Sequence, residues 1–306
     1  VAGPIATTLV NGAAIAFDAP QRVLFATGFF CMPRGDCGNS MAVLSTSNPK
    51  APSLLNAQGT NEAVDFLVDS TGLLPIGLGT ANAFQSMRYD PAAHTLTAVG
   101  AEQAFQAGDT PSIMLHPSQQ VVIGVTSEGA SSSFTAFVNS FHRDPNSGTL
   151  TKSATLTLAD EAGFAAMTPD GRFVLVPDTQ TGAVNIVAVD GSTGALTLAG
   201  TSSSAGAFVL YHFIDATHVL GRLKVNNPDR LTMFTFNGTT LTAGATLDLA
   251  GPGSLLLSVT SVGNTIYVAN STALQMIAFD PVSGSLRAIA TANTVASSIA
   301  VNPVTP

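Results

Sequence analysis

The sequence predicts an all-β chain of the propeller class, built from four-stranded blades. Three observations predict it. A hairpin signal returns at a near-constant interval, a second signal built on Pro joins pairs of apolar runs, and strand-length alternation replaces helical periodicity throughout.

The hairpin signal is an apolar strand, then Asp or Asn, a turn, Gly and Leu. Ala278-Phe279-Asp280-Pro281-Val282-Ser283-Gly284-Ser285-Leu286 is one copy, and Val187-Ala188-Val189-Asp190-Gly191-Ser192-Thr193-Gly194-Ala195-Leu196 is another. The side chain of Asp or Asn caps the turn, Pro presets φ, and Gly takes the positive φ. Asp90, Asp144, Asp190, Asn237 and Asp280 open five copies, at steps of 54, 46, 47 and 43 residues. A period of about 45 residues with four strands per repeat is the propeller signature. The second signal is a strand that ends in Pro and a polar turn before a buried strand, as in Thr168-Pro169-Asp170-Gly171-Arg172-Phe173-Val174-Leu175-Val176. It reads as the first strand of a blade turning into the second.

Together the two signals divide the chain into segments 9–60, 61–105, 106–158, 159–203, 204–249 and 250–293, with one further first strand at 294–303. The expectation is a single domain, 1–306, with seven blades, one of them completed by the chain ends or by a neighbouring subunit. A six-bladed ring is the alternative.

The chain is 45% hydrophobic and only 10% charged, with 17 Phe, three Tyr and no Trp. A net charge of −8 with 11 Lys plus Arg and no basic run excludes nucleic acid as a partner. No apolar run approaches the roughly 18 residues of a membrane-spanning helix. Cys31 and Cys37 are the whole cysteine inventory and bracket Pro33 and Gly35. A turn brings such a pair within disulfide reach, so a Cys31–Cys37 disulfide is expected. That implies an oxidising compartment, and with it a secreted protein, extracellular or periplasmic, whose leader precedes Val1.

At Thr168–Val176 and in the Asp-Pro-x-Ser-Gly-x-Leu hairpins, over about residues 60–303, the chain resembles the lactonase-like seven-bladed propellers. That family includes bacterial 6-phosphogluconolactonases and fungal carboxy-muconate lactonising enzymes. The resemblance implies lactone hydrolysis in the axial channel. Family members carry Gly-Pro-Arg-His before the Pro-Asp-Gly strand and Asn-Glu after the next one. Here the Arg and His positions fall on Gly163 and Phe164, and the Asn-Glu pair falls on Pro177 and Asp178. The cationic clamp is therefore not retained.

Other candidate chemistry is sparse. His94 and His116 fall in turns, and His142 at a hairpin start. His212 and His218 flank Asp215 in what reads as a surface turn rather than a metal site. Asp144-Pro145-Asn146-Ser147-Gly148 alternates oxygen side chains as a calcium loop does, but lacks the trailing Glu. No nucleophile elbow, phosphate loop or dinucleotide fingerprint occurs, so no cofactor is expected. Arg34-Gly35-Asp36 sits between the cysteines, Arg222, Lys224, Asp229 and Arg230 form a charged hairpin tip, and Asn237 and Asn270 head glycosylation triplets.

The expected function is a secreted, non-catalytic structural or interaction propeller that assembles with itself into an extracellular filament. The donated strand would carry Thr294, Val295, Ile299 and Val301 into a neighbour's open edge. The alternative is a lactonase-like hydrolase with Asp178, Glu161 and Arg172 as its polar groups. A carbohydrate binder ranks third, for want of exposed aromatic platforms.

Overall fold

A computed structural model describes residues 9–18, 22–31, 37–48, 53–59, 63–67, 73–78, 83–105, 109–130, 133–203, 205–223, 230–249, 256–270 and 272–293. These residues form six antiparallel sheets of four consecutive strands each. The first holds β1 (Leu9–Asp18), β2 (Val23–Cys31), β3 (Cys37–Ser45) and β4 (Ser53–Gly59). The second holds β5 (Ala63–Phe66), β6 (Leu73–Leu78), β7 (Ala83–Asp90) and β8 (Thr95–Ala104). The third holds β9 (Asp109–Leu115), β10 (Val121–Ala130), β11 (Ser133–Arg143) and β12 (Leu150–Ala159). The fourth holds β13 (Ala166–Met167), β14 (Phe173–Pro177), β15 (Val184–Val189) and β16 (Leu196–Ser202). The fifth holds β17 (Ala207–Phe213), β18 (His218–Leu223), β19 (Arg230–Phe236) and β20 (Leu241–Asp248). The sixth holds β21 (Leu256–Val262), β22 (Thr265–Asn270), β23 (Leu274–Asp280) and β24 (Ser285–Ala292).

The fold is an all-β propeller type with four-stranded antiparallel blades, but the seven-bladed expectation is corrected. No seventh four-stranded sheet occurs among the described residues. The count of seven came from treating the apolar run at 294–303 as the start of another blade, and those residues lie outside the described ones. The contacts divide the chain into two compact units, one of residues 1–105, 143–151 and 300–306, the other of residues 106–142 and 152–299.

The second to sixth sheets share one turn device. The Oδ1 of Asp90 accepts the N–H groups of Ala92 and Ala93, and that of Asp144 accepts those of Asn146 and Ser147. Asp190 and Asn237 do the same for the second and third residues after them. The N–H of Gly148, Gly194 and Gly284 then returns to the carbonyl of Asp144, Asp190 and Asp280, each at 2.8 Å. These glycines have φ of +79°, +75° and +68°, which only Gly adopts without strain. In the second sheet His94 takes that position at φ +55°, with its ring nitrogen Nδ1 2.9 Å from the Tyr89 hydroxyl and its carbonyl accepting from Asn56 Nδ2.

A polar residue stands five positions before each of these turns: Gln85, Asn139, Thr232 and Gln275, which are buried, and Asn185, which is half-buried. Thr155 and Thr201 on the last strands donate to Asn139 and Asn185, and Thr232 and Gln275 stand opposite Thr246 and Thr291. A register shift follows on β16, β20 and β24, and others interrupt β4 and β8. Bulges of this kind twist an outer strand and blunt it as a pairing edge.

Alternating apolar residues fill the seams. In the larger unit, Val121, Ile123 and Val138 meet Val174, Val176 and Val187 between the third and fourth sheets. Leu175 and Ile186 meet Leu210, Val219 and Phe234 between the fourth and fifth, and Leu220, Leu231 and Met233 meet Ile266, Val268 and Ile277 between the fifth and sixth. In the smaller unit, Phe25, Met41 and Val43 meet Met87, Tyr89 and Leu96. His116, in the β9–β10 turn, clasps the fourth sheet. A Cβ on Gly171 would lie 2.2 Å from its Nε2, and one on Gly191 2.1 Å from its Cε1. Burial lowers its pKa, so His116 packs there as a neutral ring.

The two turn glycines Gly194 and Gly284 separate backbone strain from crowding. A Cβ at Gly194 would approach Ser153 to 3.0 Å, whereas at Gly284 nothing lies within 4 Å. Gly284→Ala is expected to cost about 1 kcal/mol for the left-handed conformation alone, and Gly194→Ala measurably more. Urea-unfolding midpoints check this; equal losses would contradict the packing described.

Candidate functional site

The acidic candidates converge at one end of the fourth sheet. Residues 160–165, which lead from β12 into β13, lie alongside the turn between β14 and β15. Gly163 N–H donates to the Pro177 carbonyl at 2.8 Å and Thr179 N–H to the Glu161 carbonyl at 2.9 Å, while Ala162 bridges Asp178. The segment is also pinned to the third sheet, where Ser127 and Ser112 Oγ accept the N–H groups of Ala162 and Ala165. This zipper brings Glu161 and Asp178 together.

Their chemistry differs. Asp178 is buried, its Oδ1 accepts the N–H groups of Gln180 (2.7 Å) and Thr181 (3.1 Å), and Thr181 Oγ1 donates to Oδ2. Gly182 N–H returns to the Asp178 carbonyl, and Gly182 has φ +75°. Asp178–Gly182 is thus the same five-residue turn as Asp190–Gly194. Both carboxylate oxygens are engaged by that turn, so Asp178 is poorly placed to take a proton from a water or a substrate. Glu161 is only partly buried. Its Oε2 accepts from Thr179 Oγ1 at 2.7 Å and Gln180 Nε2 at 3.2 Å.

Arg172 is not part of this group. It precedes β14 while Asp178 follows it, six residues on, a separation of about 20 Å along an extended strand. Its guanidinium is exposed and lies over the Phe173 ring, 5.3 Å from the centroid. Gly163, where the resemblance puts Arg, has no room for a side chain, since a Cβ would stand 2.1 Å from the Phe208 carbonyl oxygen. Phe164 projects into solvent.

Cys31 and Cys37 close the β2–β3 ladder as directly opposed residues, with 32–36, including Arg34, Gly35 and Asp36, outside the described residues. Thr294, Val295, Ile299 and Val301 also lie outside them, as do Lys224 and Asp229. Arg230 pairs with Asp248 at 2.7 Å on an exposed surface. Asn270 is fully buried and caps its own turn, so in the folded chain it is closed to glycosylation, whereas Asn237 is exposed.

One expectation about the histidines needs correction. Asp215 and His218 do form a turn: Asp215 Oδ1 accepts the Thr217 and His218 N–H groups, and Oδ2 lies 2.8 Å from His218 Nδ1. His212 is not in it. It lies within β17, largely buried, with Nε2 2.9 Å from Ser261 Oγ of β21. The sequence hides this because β17 carries an extra residue, Tyr211, which breaks the alternation. Among the described residues, no group of three or more His, Cys, Asp or Glu is placed to hold a metal ion, and no helix is long and apolar enough to cross a membrane.

No family model matches the sequence, and no curated protein matches it. Solved structures do match in fold. A candidate 6-phosphogluconolactonase from Bacteroides fragilis aligns over 94% of this chain and 85% of its own, with TM-score 0.70 at 14% identity. A second, from Bacteroides uniformis, aligns over 92% and 85% with TM-score 0.66, also at 14% identity. The β-propeller domain of a Myceliophteria thermophila protein aligns over 94% and 89% with TM-score 0.60 at 11% identity. The likeness shows the propeller fold.

His212 makes acid stability a test of the seam it occupies. Burial pushes its pKa down from 6.5 to about 4. The unfolded chain therefore takes up the proton first. The stability His212 contributes is full above about pH 6.5 and falls as the pH drops toward 4, by about 3 kcal/mol in all. His212→Gln should flatten unfolding free energy between pH 6.5 and 4. An unchanged slope would place the imidazole in water.

Proposed function

We propose that this chain is a non-catalytic propeller that acts through binding and self-association in an oxidising compartment. The observation that carries the reading is the state of Asp178. The one acidic residue on the Asn-Glu positions of the lactonase resemblance spends its carboxylate on a turn shared with the rest of the chain. Gly163 admits no cationic side chain, and Arg172 stands at the other end of β14. A clamp for an anionic lactone is therefore not assembled from these positions.

The register of Cys31 and Cys37 supports the compartment. Directly opposed residues on antiparallel strands have Cα atoms about 4.5–5.5 Å apart, within the range a disulfide spans. The bulged outer strands favour association through a donated strand over pairing along those edges. Residues 294–301, with Thr294, Val295, Ile299 and Val301, have the apolar alternation such a strand needs.

A second reading is lactone hydrolysis, favoured by the fold likeness to the two Bacteroides proteins. On that reading Glu161 is the remaining base. Light scattering and a lactone panel on the same preparation separate the two. The proposal predicts large assemblies that disperse in a chain ending at residue 293, and no turnover above background. A monomer that hydrolyses a lactone, with activity lost on Glu161→Gln, would overturn it.

A further inference from the structure

The seam between the fifth and sixth sheets is apolar except at one place. There β17 pairs with β18 through a register shift: Leu210 faces Gly221 and His212 faces Leu220, leaving Tyr211 as an extra residue. A bulge sends two successive side chains to one side of the strand. The contacts agree, for Tyr211 packs on the cluster shared with Ile266 and Val268, and His212 reaches Ser261 on β21. Gly221 makes the bulge possible, since a Cβ there would stand 2.4 Å from the Val209 carbonyl oxygen.

Arg222 follows Gly221 on β18, opposite Val209. Its guanidinium lies near the Tyr211 hydroxyl, and its Nε is buried with no hydrogen-bond partner. Among the described residues the ion pairs are His218–Asp215 and Arg230–Asp248, and neither involves Arg222. A guanidinium turned into an apolar seam without a counter-charge is costly unless an anion meets it. The residue is only partly buried, so the group is open to solvent on one side.

The geometry points to an oxyanion-binding site at this seam, formed by Arg222, Tyr211 and His212, that takes a small monoanionic carboxylate. Arg222 offers the planar fork that matches two carboxylate oxygens. The Tyr211 hydroxyl beside it has an O–H to donate. Burial raises the tyrosine pKa to about 12, so it stays protonated at neutral pH. Leu220, Leu231, Ile214 and Val259 line the same seam and suit an aliphatic body. They disfavour a dianionic phosphate, whose desolvation cost is larger.

The probe is sodium propionate, titrated against sodium chloride at matched ionic strength, with inorganic phosphate as a second arm. Calorimetry should show saturable propionate binding to the full chain. Arg222→Gln should weaken it about tenfold or more, and Arg230→Gln should leave it unchanged. Should Arg222→Gln fail to fold, the Nε–H resonance of Arg222 in the wild-type chain is followed instead, and it should shift with propionate. Propionate acting no differently from chloride, binding retained in Arg222→Gln, or an unmoved resonance would overturn the site. Phosphate binding in preference to propionate would overturn the carboxylate assignment.

Discussion

Five of the six sheets depend on one small interaction, a side-chain oxygen of Asp or Asn that accepts two backbone N–H groups just ahead of it. Asp90, Asp144, Asp178, Asp190, Asn237 and Asn270 all make it. A chain that reverses direction in four or five residues leaves those donors unpaired, and a short side chain with an acceptor satisfies them locally. The register of the following strand is then fixed, and with it which face turns inward. Hydrogen bonds to the ionised form also hold the carboxyls of Asp90 and Asp280 below the usual range. Much of the acidity of the chain is in this way part of its scaffold.

Packing builds on those turns. Apolar side chains from successive sheets interdigitate, and several polar residues within or beside the seams have a visible task. His116 fits where Gly171 and Gly191 leave space for a ring. Asn139 and Asn185 fasten the last strand through Thr155 and Thr201. Arg222 stands apart from this pattern, because it lies near a tyrosine hydroxyl and its buried Nε has no hydrogen-bond partner.

Much of the fold was legible because turn chemistry is local. Asp190 to Gly194 and Asp280 to Gly284 announce their hairpins, and the segment limits read from them fall between the sheets except at 158/159, which clips the last residue of β12. The blade count was less legible, since a trailing apolar run looks the same whether or not it begins another sheet. Asp178 reads in sequence as a candidate polar group, although Asp178-Thr179-Gln180-Thr181-Gly182 has the spacing of the turn Asp190-Gly191-Ser192-Thr193-Gly194. The resemblance drew attention to its acidity and away from its glycine. Tyr211 is hidden, and Arg222 of β18 reads as part of a hairpin tip, for a different reason: a bulge is a tertiary event that leaves no mark on periodicity.

The central claim is that Asp178 serves as a turn residue through its Oδ1, as Asn270 does in the sixth sheet. Urea unfolding of Asp178→Asn and Asp178→Ala tests it most directly. Asn keeps the acceptor and should hold stability within about 0.5 kcal/mol, whereas Ala strands two backbone donors and should lose about 1–2 kcal/mol. Equal losses in the two variants, or none in Ala, would show that the carboxylate does something other than close the turn.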